Sequence, residues 1–294
     1  MNMKSIKDKF SDSMNEILRN AIKRNVNDAI TEDVGSGDVT GLLVPENLKV
    51  KAEVIVREES ILCGIPWFNA VLEEVDPKLN VVWHYAEGDR MGSNTKVCTL
   101  TGSARALLTV ERSALNFLQL LSGVATYTRR YVDLIHGSSA KILDTRKTLP
   151  GLRMAEKYAV RIGGGENQRF ALYDGILIKE NHIAAAGGVR QVMQKALALK
   201  TNVPIQIEVE TLEQLEEAIQ AGAKSILLDN FTVSMMQQAV QQTNGRAVLE
   251  ASGGVNEETV QIIAKTGVDR ISIGSLTKDV KAIDYSMRII ENNS

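Results

Sequence analysis

The spacing of apolar residues divides the chain into two regimes. Ile6, Phe10, Met14, Leu18 and Ile22 recur at helical spacing and predict an amphipathic helix over residues 5–30. From 49 to 102 the pattern alternates with period two, with turn signals at Glu87-Gly88-Asp89 and Met91-Gly92-Ser93. That alternation predicts short strands, interrupted by one helical run over 67–75. The first stretch therefore reads as a small α+β unit. From Ser103 the pattern changes. Ser103 can cap a helix running to about 121, and Ser122-Gly123 can end it. A second helix is predicted over 125–135, stopped by His136-Gly137.

Short apolar runs then alternate with capped helices. Strands are predicted over 141–145, 175–180, 205–210, 225–229, 247–251 and 270–274. Thr211-Leu212-Glu213-Gln214 reads as a capping box, and Thr232 and Asn256 as N-caps. From Lys179 onward the strand ends recur roughly every 20–30 residues, the pitch of a βα unit. Right-handed crossovers would wind such units into a parallel barrel or an open sheet. Six strands are clear, two short of a full eight-stranded barrel.

Side-chain parity favours the barrel. Gln206, Glu208 and Glu210 share one face of their strand, and Ile205, Ile207 and Val209 the other. Lys179 lies with Leu177, Asp229 with Leu227 and Ser225, and Ser272 with Gly274. The polar faces would point inward, which is costly unless cations and carboxylates pair there or bind a ligand. A barrel interior serving stability alone would be filled with Val, Ile and Leu.

Composition narrows the class. The chain has 294 residues, is 44% hydrophobic and 24% charged, and has a net charge of -2. This suits a globular protein and argues against a general nucleic-acid binder. Cys63 and Cys98 form no C-x-x-C pair, so neither a disulfide framework nor a zinc site is expected, consistent with a reducing cytoplasm. No apolar run is long enough to span a bilayer. The acidic loop from Glu32 to Thr40 fits no EF-hand spacing and reads as a structured turn.

Against the near-neutral total, residues 141–182 gather Arg146, Lys147, Arg153, Arg161, Arg169 and Lys179 around Gly163-Gly164-Gly165. Cations at strand ends beside a glycine loop suit a small, highly anionic ligand. Glu208 and Asp229, on adjacent predicted strands, could hold Mg²⁺ with a substrate's oxygens, accept hydrogen bonds from ribose hydroxyls, or balance the cations. Ser252-Gly253-Gly254 and Gly274-Ser275 follow consecutive strands and offer backbone N–H groups to a phosphate. Of the three histidines, His84 and His136 read as structural, and His182 has no Ser or Cys partner. Lys179 could form a Schiff base, but neighbouring carboxylates would keep it charged and non-nucleophilic.

Asp144-Thr145-Arg146-Lys147-Thr148-Leu149-Pro150-Gly151-Leu152-Arg153 closely resembles quinolinate phosphoribosyltransferase, as do Glu156-Lys157-Tyr158-Ala159-Val160, Gly163-Gly164-Gly165 and Ile178-Lys179-Glu180-Asn181-His182. The likeness continues through Glu111-Arg112, the run from Leu121 to Thr126, Glu208-Val209-Glu210, the run from Leu227 to Phe231 and Ser252-Gly253-Gly254. It implies an α/β protein: an N-terminal α/β sandwich over 1–122, an open seven-stranded α/β barrel over 123–278, and a tail over 279–294 that packs back on the first domain. The missing strand would fall between Thr126 and Asp174 or be irregular. The implied reaction joins quinolinate to phosphoribosyl pyrophosphate, with Mg²⁺, giving nicotinate mononucleotide, pyrophosphate and carbon dioxide for NAD biosynthesis. The implied assembly is a cytoplasmic homodimer or higher oligomer.

The resemblance also implies roles. Arg112 would reach into the partner subunit's site. Arg146, Arg169 and Lys179 would hold the quinolinate carboxylates, with Thr145 and Gln168 beside them. Lys147 would contact phosphoribosyl pyrophosphate. Glu208 and Asp229 would serve the ribose hydroxyls and Mg²⁺, and Ser252, Gly253, Gly254, Gly274 and Ser275 the phosphate. Lys147, Lys179, Glu208 and Asp229 form the implied catalytic set. Many members of the family carry histidine where this chain has Gln168, so any role requiring an imidazole there does not carry over.

Overall fold

The computed structural model describes residues 12–290. Its contacts divide the chain into two compact units. The first comprises residues up to Tyr127, Leu149–Gly163 and the segment from Asp279 onward; the second comprises Thr128–Thr148 and Gly164–Lys278.

In the first unit β1 (Lys49–Val56), β3 (Asn80–Trp83), β5 (Thr95–Ser103) and β12 (Tyr285–Ile290) form an antiparallel sheet in the order β12-β1-β5-β3. Along β1, Ala52, Val54 and Val56 are buried, the period-two signature of a sheet with one face on a core. β2 (Ser60–Ile61) and β4 (Arg90–Met91) make a separate two-stranded ladder. The unit's helical segments are α1 (Asp12–Asp33), α2 (Ile65–Val75), most of α3 (Ala104–Leu134) and α4 (Arg153–Ile162). Of the predicted first helix, Ile6 and Phe10 lie outside the described residues; Leu18, Ala21 and Val26 are buried along α1. Asn25 of α1 is also buried, and its side chain donates to Gly151 O (3.1 Å) and accepts from Trp67 Nε1 (3.3 Å). The acidic loop is a turn: Asp38 accepts from Gly41 N (2.9 Å) and from the Thr109 hydroxyl (2.9 Å).

The two helices predicted either side of Ser122-Gly123 are one helix, α3, 31 residues long. Neither residue acts as a terminator. The Ser122 hydroxyl bonds to Tyr285 Oη (2.8 Å) and to both backbone groups of Cys63. A Cβ on Gly123 would collide with Lys281 O, so this glycine serves close backbone approach rather than helix ending.

The second unit holds a parallel six-stranded sheet of β6 (Lys141–Leu143), β7 (Ile176–Ile178), β8 (Ile205–Val209), β9 (Ser225–Asp229), β10 (Val248–Ser252) and β11 (Arg270–Ser272). The order is β6-β11-β10-β9-β8-β7, with helices α5 (Glu180–Ala186), α6 (Val189–Ala198), α7 (Leu212–Gln220), α8 (Val233–Thr243), α9 (Val260–Ala264) and α10 (Ser275–Lys278) following strands. The seventh strand is reduced to one parallel bridge, Leu143 to Glu166, with Glu166 N donating to Ile142 O (2.8 Å). Glu166 lies between Thr126 and Asp174, where that strand was expected.

The caps hold with one variation. Thr211 and Thr232 accept from Gln214 N and Met235 N, each at 3.2 Å. Gln214 reaches back to Glu210 N (2.8 Å), one residue before the cap. Asn256 caps the turn that leads into α9, accepting from Glu258 N and Thr259 N.

Candidate active site

The strands of the second unit run parallel, so their C-terminal ends lie at one end of the sheet. A cavity of about 830 Å³ opens there. Its walls include Leu177, Lys179, Glu208, Leu227, Asp229, Ser272 and Gly274 from the faces that alternation assigned inward, together with Ser252; Gln206, Glu210 and Ser225 of those faces do not line it. The β6 end adds Thr145, Arg146 and Lys147, and the segment after Glu166 adds Gln168 and Arg169. Gly253, Gly254 and Ser275 complete the predicted set within the second unit.

Arg153 and Arg161, which the sequence groups with these cations, sit on α4 in the first unit and do not line the cavity. Arg112 is exposed on α3, also in the first unit, and does not line it either. His182 is turned to structural use: its Nδ1 accepts from Lys179 N (3.0 Å) at the start of α5. Lys278, Asn230 and Glu250 line the cavity and were not singled out from the sequence. Glu250 was legible by parity, two residues before Ser252. Lys278 lies three residues after Ser275, one helical turn on.

Five cationic side chains (Arg146, Lys147, Arg169, Lys179, Lys278) and three carboxylates (Glu208, Asp229, Glu250) share this space. Lys179 Nζ pairs with Glu208 Oε2 at 3.1 Å. Desolvation raises the Glu208 carboxyl above its ordinary range, the Lys179 pair opposes the rise, and nearby Asp229 adds to it. Burial lowers Arg169, and the like charge of Arg146 lowers it further. Two guanidiniums close enough to repel one another, in a partly desolvated site, are matched by an anion with more than one negative group.

The loops are fixed by local bonds. Asp144 is buried; its carboxylate accepts from Gln168 N (2.9 Å) and Asn167 Nδ2 (2.6 Å). Asp174 accepts from Phe170 N and Ala171 N, both 2.7 Å, and Arg169 Nη1 donates to Gly175 O (2.8 Å). Thr145 Oγ1 accepts from Lys147 N (3.0 Å), and Lys147 O accepts from the Thr277 hydroxyl (2.8 Å). Gly253 has φ +98°, and a Cβ there would collide with the Asn230 side chain. Glycine therefore leaves backbone N–H groups of this loop open to an oxyanion.

Among the described residues no three His, Cys, Asp or Glu side chains gather as a metal cage. Glu208 and Asp229 remain as a carboxylate pair on adjacent strands, close enough for one to raise the other. That donor set fits Mg²⁺, which keeps water and substrate oxygens and needs only one or two carboxylates from protein.

Two family models match, "Quinolinate phosphoribosyl transferase, N-terminal domain" over residues 38–122 and its C-terminal domain over 124–288. The chain belongs to the quinolinate phosphoribosyltransferase family. It is 42% identical over 273 residues to the probable carboxylating nicotinate-nucleotide pyrophosphorylase of Bacillus subtilis, covering 92% of this chain and 94% of that protein. The Mycobacterium leprae carboxylating nicotinate-nucleotide pyrophosphorylase is 40% identical over 285 residues, covering 95% and 99%. The solved nicotinate-nucleotide pyrophosphorylase of Francisella tularensis superposes with TM-score 0.90 at 43% identity, covering 92% of this chain and 96% of that one. The fold is the family's, an N-terminal domain and a C-terminal α/β barrel. The quinolinate phosphoribosyltransferase barrel is thus open here, with its seventh strand reduced to the Glu166 bridge.

Proposed function

We propose that the cavity at the strand ends of the second unit joins quinolinate to phosphoribosyl pyrophosphate and releases nicotinate mononucleotide, pyrophosphate and carbon dioxide in NAD biosynthesis. One observation carries the residue roles: Arg146 and Arg169, near enough for their like charges to interact, line the same cavity as the loops Ser252-Gly253-Gly254 and Gly274-Ser275. A dicarboxylate relieves the first feature and a phosphate fits the second.

Arg146, Arg169 and Lys179 hold the two carboxylates, with Gln168 and Thr145 beside them. This aligns the ring nitrogen with C1 of the ribose. Lys147 contacts the donor's phosphates, and the glycine loops hold its 5′-phosphate. The ring nitrogen bonds to C1 while the C1–O bond to pyrophosphate breaks, its electron pair leaving with pyrophosphate. Glu208 and Asp229 accept from the ribose hydroxyls as positive charge develops at C1. Glu208 or Asp229 would hold Mg²⁺ together with substrate oxygens, where the ion would supply positive charge to the departing pyrophosphate. The product ring is a pyridinium. It takes up the electron pair left at C2 when the carboxylate departs as carbon dioxide, and a proton from water then adds at C2. Gln168 has no acidic proton to give, so this route assigns it hydrogen bonding only.

The protein acts as a cytoplasmic homodimer in which each Arg112 serves the partner's site. Two buried cysteines that form no disulfide, and an exposed Arg112, are consistent with this reading. The test is incubation with quinolinate, phosphoribosyl pyrophosphate and Mg²⁺, with the product identified by mass and carbon dioxide release measured in parallel. Nicotinate mononucleotide with stoichiometric carbon dioxide is expected. Turnover of nicotinate in place of quinolinate, without carbon dioxide, would replace the reading with that of a monocarboxylate-using relative.

A further inference from the structure

Gln168, Gln206 and Glu250 form a hydrogen-bonded relay inside the barrel. Glu250 is 1% exposed and Gln206 8%. Gln206 Nε2 donates to Glu250 Oε2 (2.9 Å), Gln168 Nε2 donates to Gln206 Oε1 (2.6 Å), and Arg169 N donates to Gln168 Oε1 (2.7 Å). The direction of the chain follows from its Arg169 end, where a backbone N–H can only donate. Gln168 must therefore turn its oxygen toward Arg169 N and its NH₂ toward Gln206. Gln206 then presents its oxygen to Gln168 and its own NH₂ to Glu250, which accepts.

The carboxylate is retained at a cost. Glu250 Oε1 is buried and has no hydrogen-bond partner among the described residues. A network serving stability alone would dispense with the acid, because a buried acceptor without a partner destabilises the fold. The relay ends on Arg169, whose guanidinium is aimed by its bond to Gly175 O and repelled by Arg146.

We propose that Glu250 is a positioning residue for quinolinate. Through Gln206 it anchors the Gln168 carboxamide, whose oxygen holds the Arg169 backbone, and so keeps Arg169 in place until the dicarboxylate arrives. The inference rests on the substrate reading above and names residues that reading does not use.

The experiment compares wild type, Glu250→Gln and the swap Gln206→Glu/Glu250→Gln. Glu250→Gln keeps shape but replaces the carboxylate at the buried end of the relay with a neutral, weaker acceptor. It should raise KM for quinolinate about five- to tenfold, with kcat and KM for phosphoribosyl pyrophosphate little changed. Hydrogen-exchange protection of the Arg169 amide should fall. In the swap, the carboxamide introduced at position 250 donates to the carboxylate introduced at position 206. That carboxylate still accepts from Gln168, so quinolinate KM should recover. An unchanged quinolinate KM in Glu250→Gln, a loss confined to kcat, or a folded swap without recovery would overturn the proposal. Should the swap not fold, the single variant's KM and amide exchange decide it. Should wild type fail to turn over quinolinate at all, the functional reading falls, while the Arg169 amide still reports whether Glu250 sets the relay.

Discussion

Glu208 illustrates how one side chain trades stability for chemistry. Its carboxyl is raised by desolvation against the pull of Lys179. A carboxyl raised in the folded state contributes stability that is present below its unfolded value and lost as pH rises through its folded value. Charged Glu208 is thus a burden on the fold at neutral pH, yet the ionised form is the one that can serve ribose and metal. The acidic limb of kcat/KM is expected to lie above the ordinary carboxylate range, measured as a pH–rate profile at saturating Mg²⁺. Glu208→Gln should lose most activity while its urea midpoint at pH 7 stays equal to or above that of wild type. A clear loss of stability in that variant would contradict the sign. Arg146→Ala removes a charge-assisted contact made by no neutral neighbour. It is expected to weaken quinolinate binding about ten- to hundredfold, read by calorimetric titration with quinolinate alone. Parity assigned Lys179, Glu208 and Asp229 to one interior without any structure, because strand alternation is strict. Glu250 obeys the same parity. It passed unnoticed because nothing in the sequence distinguishes a buried acid that orients neighbours from one that faces solvent.

At the scale of elements, the sequence was most legible where local chemistry decides. The caps at Thr211 and Thr232 and the six strands follow from side-chain bonding and periodicity within a few residues. It was least legible where a distant segment overrides a local signal. Ser122-Gly123 reads as a helix stop, yet α3 runs through it, because the serine bonds to Cys63 and Tyr285 and the glycine admits the backbone at Lys281. Glu166 could not be seen as a strand, since a single bridge leaves no alternation to read. Gly123→Ala gives a test with a reversed sign. Inside an ordinary helix the change gains about 1 kcal/mol. Here the added methyl meets Lys281 O, so a loss of about 1–3 kcal/mol is expected from urea denaturation. In the loop proposed to hold the phosphate, Gly253→Ala meets both a positive φ and Asn230. KM for phosphoribosyl pyrophosphate should rise well above wild type while quinolinate binding in a direct titration changes little.

For the molecule as a whole, the proposed sharing of Arg112 predicts complementation. Arg112→Ala and Arg146→Ala homodimers should each be impaired at every site. When the two are mixed and allowed to exchange subunits, one site of each hybrid dimer combines an intact Arg112 with an intact Arg146, and activity should return. Mixtures that stay as inactive as their parents would refute the shared arginine. The first unit, meanwhile, is assembled from three separated stretches of chain. Its sheet order sets β1 between β5 and β12, and β12 comes last of all the described strands. A ribosome adding roughly 5–20 residues each second finishes β5 and then needs roughly ten to forty seconds to deliver residue 285. Throughout that interval the backbone edge of β1, with Ala52, Val54 and Val56 on its apolar face, has no partner to its open side. All six strands of the second unit are made within the same interval. An unmated edge of this kind recruits strands from other chains. The nascent polypeptide is therefore most prone to stick to its neighbours on crowded polysomes in the interval before its C-terminal strand arrives.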